Sequence, residues 1–197
     1  MLAGVVASPH LMPDGAACVA LVSPDEPDWW SHVQQSAEWR DGRRNPIDRW
    51  SARVLAEVAA ATNGVAILPS DGPPYAPFYQ WAVASGRAYV SPVRLLVHDV
   101  AGLFISFRGA IALPFAISDE TRTGNPCDTC KRPCLTACPV GAIGKDGYDV
   151  PVCHGHLDTP AGGDCLSGGC AVRRACPVGA ERRTRDQSAH HMRYFHK

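Results

Sequence analysis

The chain has 197 residues, 46% of them hydrophobic and 19% charged, with a formal net charge of zero. That leaves room for one or two domains with a proper core and gives no general electrostatic pull toward nucleic acid or an anionic membrane. No run approaches the roughly 18 apolar residues of a bilayer span, and Met1–Pro13 lacks the basic flank of a secretory leader, so a soluble, cytoplasmic protein is expected.

The first predicted element is a strand over Ala17–Ser23, a run of small and β-branched residues that includes Cys18. Cys18 reads there as a small core residue. Asp28–Asn45, with charges and paired tryptophans, gives no clear assignment. A helix follows from Pro46, since Trp50, Val54, Leu55 and Val58 recur at helical spacing, and Asn63-Gly64 supplies its stop. The tryptophans are expected to serve packing. Val65–Leu68 reads as a strand, and Ser70–Pro77, with three prolines, as a loop. A second helix is expected over Phe78–Ser85, ending at Gly86. Arg94–Val100 and Leu103–Leu113 read as strands joined by a turn at Asp99–Gly102. Helices alternating with strands predict an α/β layer around one sheet.

The composition changes near residue 118. Domain one is placed at 1–117, a polar linker at 118–126, and a Gly-, Pro- and Cys-rich domain at 127–197, giving an overall α+β chain. Eight of the nine cysteines fall in this last domain. Disulfides are disfavoured without a secretory signal, and the crowding of thiols into one segment points to metal.

The first group reads Cys127-x2-Cys130-x3-Cys134-x3-Cys138-Pro139; the second is Cys153, then Cys165-x4-Cys170-x5-Cys176-Pro177. Bacterial two-cluster ferredoxins use C-x2-C-x2-C-x3-C-P, whose fourth cysteine serves the other cluster. A Cys-Pro-Val-Gly-Ala repeat at 138–142 and 176–180 marks the expected pseudo-twofold relation. By that logic one [4Fe-4S] cluster takes Cys127, Cys130, Cys134 and Cys176. The other takes Cys138, Cys153, Cys165 and Cys170, so each of the eight is used once. Pro133 adds a residue to the usual spacing, and eleven residues detach Cys153 from Cys165; closure entropy grows slowly enough with loop length to allow both.

Two tetrahedral zinc sites would also use eight thiolates, as an interaction module, but zinc ribbons usually pair two C-x2-C knuckles and this chain has one. His154 and His156 are alternative ligands in principle, expected instead to be solvated loop histidines. Arg173–Lys197 holds seven Lys/Arg against two acids. It reads as charge compensation, as a dock for an acidic redox partner, as an RNA contact, or as a solvated basic helix packed by Met192, Tyr194 and Phe195.

Residues 127–179 resemble the cluster domain of epoxyqueuosine reductase and the related reductive dehalogenases, which also place an isolated cysteine between two groups. The resemblance extends upstream. Met12-Pro-Asp-Gly-Ala-Ala-Cys-Val-Ala-Leu-Val looks like that family's lead-in and first core strand, and Asp71-Gly-Pro-Pro its Asp-Thr-Ala-Pro segment. Ser85–Val97 resembles its AGLGWIGKNTLLI stretch, and Leu103–Leu113 the strand after it. The resemblance implies a cobalamin-binding α/β domain that takes electrons from the clusters, with Asp71 matching the proton-donating aspartate. The family's Gly-Lys-Asn stands here as Ser91-Pro92-Val93, which removes a charge and backbone freedom where that cofactor would approach. The function expected is single-electron transfer by two [4Fe-4S] clusters to a redox partner protein, with a small-molecule or corrinoid acceptor as the alternative.

Overall fold

A computed structural model describes residues 1–119, 121 and 123–196; Glu120 and Arg122 of the predicted linker, and Lys197, lie outside the described residues. The protein is mixed α+β and divides into two compact units, Met1–Ala88 with Ser106–Thr123, and Tyr89–Ile105 with Gly124–Lys197. The second unit is therefore not the contiguous 127–197 stretch read from composition. It also takes in Tyr89–Ile105. Among the described residues, no helix is long and apolar enough to cross a membrane.

The first unit is built on a four-stranded sheet of order β1-β2-β6-β3, with β1 at Leu2–Val6, β2 at Cys18–Val22, β3 at Val65–Ile67 and β6 at Gly109–Leu113. Every pairing in it is antiparallel. The expected α/β layer is thus corrected: the helices flank an antiparallel sheet and do not form β-α-β crossovers. The predicted strand over Leu103–Leu113 is real only at Gly109–Leu113, because Leu103–Ile105 folds with the second unit.

Helix α3 (Pro46–Ala61) begins with Pro46, whose missing N–H would be unpaired there in any case, and lays Leu55 and Ala59 on one sheet face. They pack with Val5, Cys18, Ala20, Ile111 and Leu113, the alternate residues of three strands. Asn63, in the left-handed conformation at φ 51°, turns the chain out of the helix, and the Gly64 N–H bonds Ala59 O at 2.9 Å. Helix α4 (Phe78–Ala84) packs against β1 and β2. Its Trp81 is buried and donates Nε1–H to Leu11 O at 2.6 Å.

The unassigned stretch holds two short helices, α1 (Asp28–Gln34) and α2 (Ala37–Arg40). Trp29, Trp30, Trp39 and Trp50 meet there through tilted and edge-on ring contacts, so these tryptophans serve packing. A buried ion pair joins Arg87 to Asp119 at 3.4 Å.

The second unit is a series of short elements. β4 (Ala88–Val90), whose last two residues belong to it, pairs with β5 (Leu96–His98). A hairpin of β7 (Ile143–Gly144) and β8 (Gly147–Tyr148) leads into α5 (Val150–Leu157), capped by Asp149, whose carboxylate accepts the Val152 N–H at 3.0 Å. Helices α6 (Gly163–Gly168) and α7 (Ala171–Arg174) follow, and α8 (Arg185–His196) packs on α6. The basic segment thus does end in a helix. Met192 is buried in it, Phe195 is partly buried, and Tyr194 is exposed.

Candidate metal centre

The eight C-terminal cysteines separate into two cavities, both inside the second unit. The first is lined by Cys127, Cys130, Cys134 and Cys176, with Val97 and Leu103 among its apolar walls. The second is lined by Cys138, Cys153, Cys165 and Cys170, with Ile143, Leu157, Val172 and Met192. Each cavity is thus lined by four thiols. The enclosed volume of each cavity is about 20 Å³. All nine cysteines are free thiols.

Local structure explains how the unusual spacings close. Asn125 accepts the Cys127 N–H on its side-chain oxygen at 3.0 Å and fixes the first thiol's approach. The extra residue Pro133 opens a single 3-10 turn, Pro133–Leu135, that carries Cys134. Cys153 sits on α5, Cys165 on α6, and Cys170 directly before α7. Cys138 and Cys176, each followed by proline, enter the cavity of the opposite group.

Tyr89–Ile105 supplies the far wall of the first cavity. The Gly102 N–H bonds His98 O at 2.9 Å and the His98 N–H bonds Gly102 O at 3.0 Å, which closes a tight loop. Gly102 has φ +56°, and a Cβ on it would lie 1.9 Å from Val178 O and 3.1 Å from Cys176 Sγ. Only glycine lets this loop approach the Cys176 segment so closely.

The electrostatics of the thiols follow from these surroundings. Burial, the largest cause, pushes the Cys127 thiol up from its ordinary pKa; Cys130, Cys134 and Cys176 push it further, and Arg132 opposes them. Cys134 is raised by burial, then by Cys176 and Cys130, against its own amide and that of Leu135. Burial also raises Cys153; the Tyr148 hydroxyl bonded to its sulfur acts against this, while Cys170, Cys138 and Cys165 reinforce it. Cys165 rises by burial, opposed by the Ala171 amide. Four such thiols cannot all ionise in one apolar space without a cation among them. A metal centre would supply that charge and deprotonate the thiols that hold it.

Several residues around the cavities take places the sequence did not give them. The Arg132 amide donates to Cys130 Sγ at 3.3 Å. Arg173, read as part of a basic tail, instead turns inward and donates to Leu103 O at 3.1 Å. His156 is not a solvated loop histidine: it lies on α5 and lines the second cavity, and its Nε2 is buried with no hydrogen-bond partner among the described residues. His154 shares that helix and packs edge-on against Phe195. Ser91 lines the first cavity, 4% exposed, and its Oγ is likewise buried and without a partner there.

Asp71 belongs to the first unit. It is exposed in a turn there, and its carboxylate accepts the Leu68 N–H at 2.8 Å. Cys18, on β2, is fully buried, and its thiol donates to Phe115 O at 3.3 Å.

Among the described residues, no three His, Cys, Asp or Glu side chains stand together at the spacing of a single bound ion. In comparisons with known proteins, no family model, no curated protein and no solved structure matches the chain.

Proposed function

We propose that the chain is an iron–sulfur protein that holds two [4Fe-4S] clusters and passes single electrons to a redox partner protein in a reducing compartment, the cytoplasm. The first cluster would be held by Cys127, Cys130, Cys134 and Cys176, the second by Cys138, Cys153, Cys165 and Cys170. The observation that carries this reading is the sorting of eight thiols into two apolar cavities, four to each, with the two Cys-Pro cysteines exchanged between groups.

The donor set fits the group. Thiolates are the ligands of iron–sulfur clusters and of structural zinc. Structural zinc ribbons usually pair two C-x2-C knuckles, whereas this chain has one and follows Cys138 and Cys176 with proline, as two-cluster ferredoxins do. Bound there, a [4Fe-4S] cluster supplies one-electron redox chemistry.

The chain's own residues set the conditions for it. Apolar walls such as Val97, Leu103, Ile143 and Met192 flank the sulfurs, of which Cys134, Cys165 and Cys176 are buried. The Arg132 amide, bonded to Cys130, and the Tyr148 hydroxyl, bonded to Cys153, stabilise negative charge at the ligands and so favour the reduced state. A corrinoid acceptor, with Asp71 as its proton donor, is the second reading, tested by whether added cobalamin binds the purified protein and shifts its visible spectrum.

Single substitutions test the scheme. Cys130→Ala and Cys170→Ala should each lose about half the iron, and EPR should show a different cluster missing in each. Either variant retaining all of its iron would refute the assignment.

A further inference from the structure

Among the described residues, each cavity has one lining residue with a buried side-chain polar atom that lacks a partner, and the two differ in kind. In the first it is the hydroxyl of Ser91, just after β4; in the second it is Nε2 of His156, three residues after Cys153 on α5. Residues three apart share a helix face, so His156 is carried to the same cavity as the Cys153 thiol. A polar hydrogen buried without an acceptor is costly and rare, and one that points into an otherwise apolar space calls for an acceptor within it. The acceptors these two cavities share are sulfurs.

We propose that Ser91 Oγ–H and His156 Nε2–H are hydrogen-bond donors to the sulfurs of the two clusters, one donor per cluster, and that each raises the reduction potential of its own cluster. The assignment rests on the two-cluster reading. Donation, not ligation, is the role that fits, because four thiols already line each cavity. A donor aimed at a sulfur stabilises the more negative, reduced state more than the oxidised one, so its loss makes reduction harder. Because each donor serves one cavity, the two potentials can be set independently. The imidazole is the bulkier group and is held by a helix, whereas the serine hydroxyl sits in the turn closed by the Ser91 N–H on Leu95 O at 2.9 Å.

The test is a dithionite titration of anaerobically purified protein followed by EPR, each cluster taking one electron from the reductant. Ser91→Ala should make the first cluster up to about tenfold harder to reduce, about 59 mV in a one-electron couple, and leave the second where it was. His156→Leu should do the reverse, and Ser91→Thr and His156→Gln, which keep a donor, should recover most of the shift. Shifts below about twofold in both truncations, with iron content intact, would overturn the donor assignment. Loss of half the iron in His156→Leu, with His156→Gln also depleted, would overturn it in favour of a ligand role. Wild-type protein provides a check independent of folding in the variants. Pulsed EPR of the reduced clusters should show an exchangeable proton at each and a nitrogen coupling from labelled histidine at one. The absence of these couplings overturns the proposal. A wild-type protein with no iron at all fails the two-cluster reading itself, a distinct result.

Discussion

Replacing Gly102 with alanine probes how the segment Tyr89–Ile105 is built into the second unit. The added Cβ would lie 1.9 Å from Val178 O and 2.9 Å from Val178 C, where real Cβ contacts essentially never fall below 3.0 Å. To reach even that limit, the two must separate by 1.1 Å, the difference between those distances. The clash is with main chain, so no side-chain rotation relieves it. The loop is also held by the paired bonds between His98 and Gly102, and φ +56° penalises any residue with a Cβ. Overpacking of this kind costs roughly 1–3 kcal/mol and the left-handed backbone roughly 1–2 more, so about 3 kcal/mol in total is expected. Val178 is two residues from Cys176, so the displacement is transmitted to the thiol that completes the first cavity. Gly102→Ala should therefore lose the first cluster and about half the iron, keep the second, and bleach at lower urea. Iron assay, EPR and the visible absorbance during urea titration measure all three. A variant with full iron and stability within about 0.5 kcal/mol of wild type would show that the loop does not seat Cys176.

Cys18→Ala should leave iron content unchanged, because Cys18 is a buried strand residue bonded to Phe115 O; iron loss would mean the ligand count is wrong. All five tryptophans lie in the first unit, so their fluorescence reports its unfolding. By that signal Leu55→Ala should cost about 3 kcal/mol, since Leu55 is 2% exposed at the centre of the packing between helix and sheet. Burial alone would raise the Asp119 pKa, but the hydrogen bonds from Thr121 and the Arg87 guanidinium outweigh it and hold the carboxyl below its usual range. A folded-state pKa below the unfolded one gives stability that is present above about pH 4 and lost as pH falls through the folded value. Asp119→Asn should thus destabilise the first unit by about 2 kcal/mol at pH 7 and by clearly less at pH 3; an equal loss at both would contradict the pairing.

The sorting of the eight cysteines into two cavities was legible because the spacing within Cys127–Cys138 is local and each group's Cys-Pro cysteine crosses to the other, the exchange that two-cluster spacing predicts. The 3-10 turn at Pro133 and helix α5 absorb the irregular spacings without changing that logic. Helix α3 was legible from its apolar period and its Asn63-Gly64 stop. The antiparallel order of the first sheet was not, because strands β2, β3 and β6 are short and the pairing partner of each lies far along the chain. β1 was missed because a glycine interrupts it, and Tyr89–Ile105 was assigned to the wrong unit because its place depends on the close approach of Gly102 to Val178. The burial of Ser91 and of His156 Nε2 was invisible for the same reason: residue type alone does not tell a solvated histidine from one turned into a cavity by its helix.

The most direct measurement is iron and sulfide content after strictly anaerobic purification, with a visible spectrum and EPR before and after dithionite. About eight iron and eight sulfide per chain, with broad absorbance that bleaches on reduction, is the predicted result. A colourless protein carrying about two zinc ions would contradict the account and leave the eight cysteines a structural role.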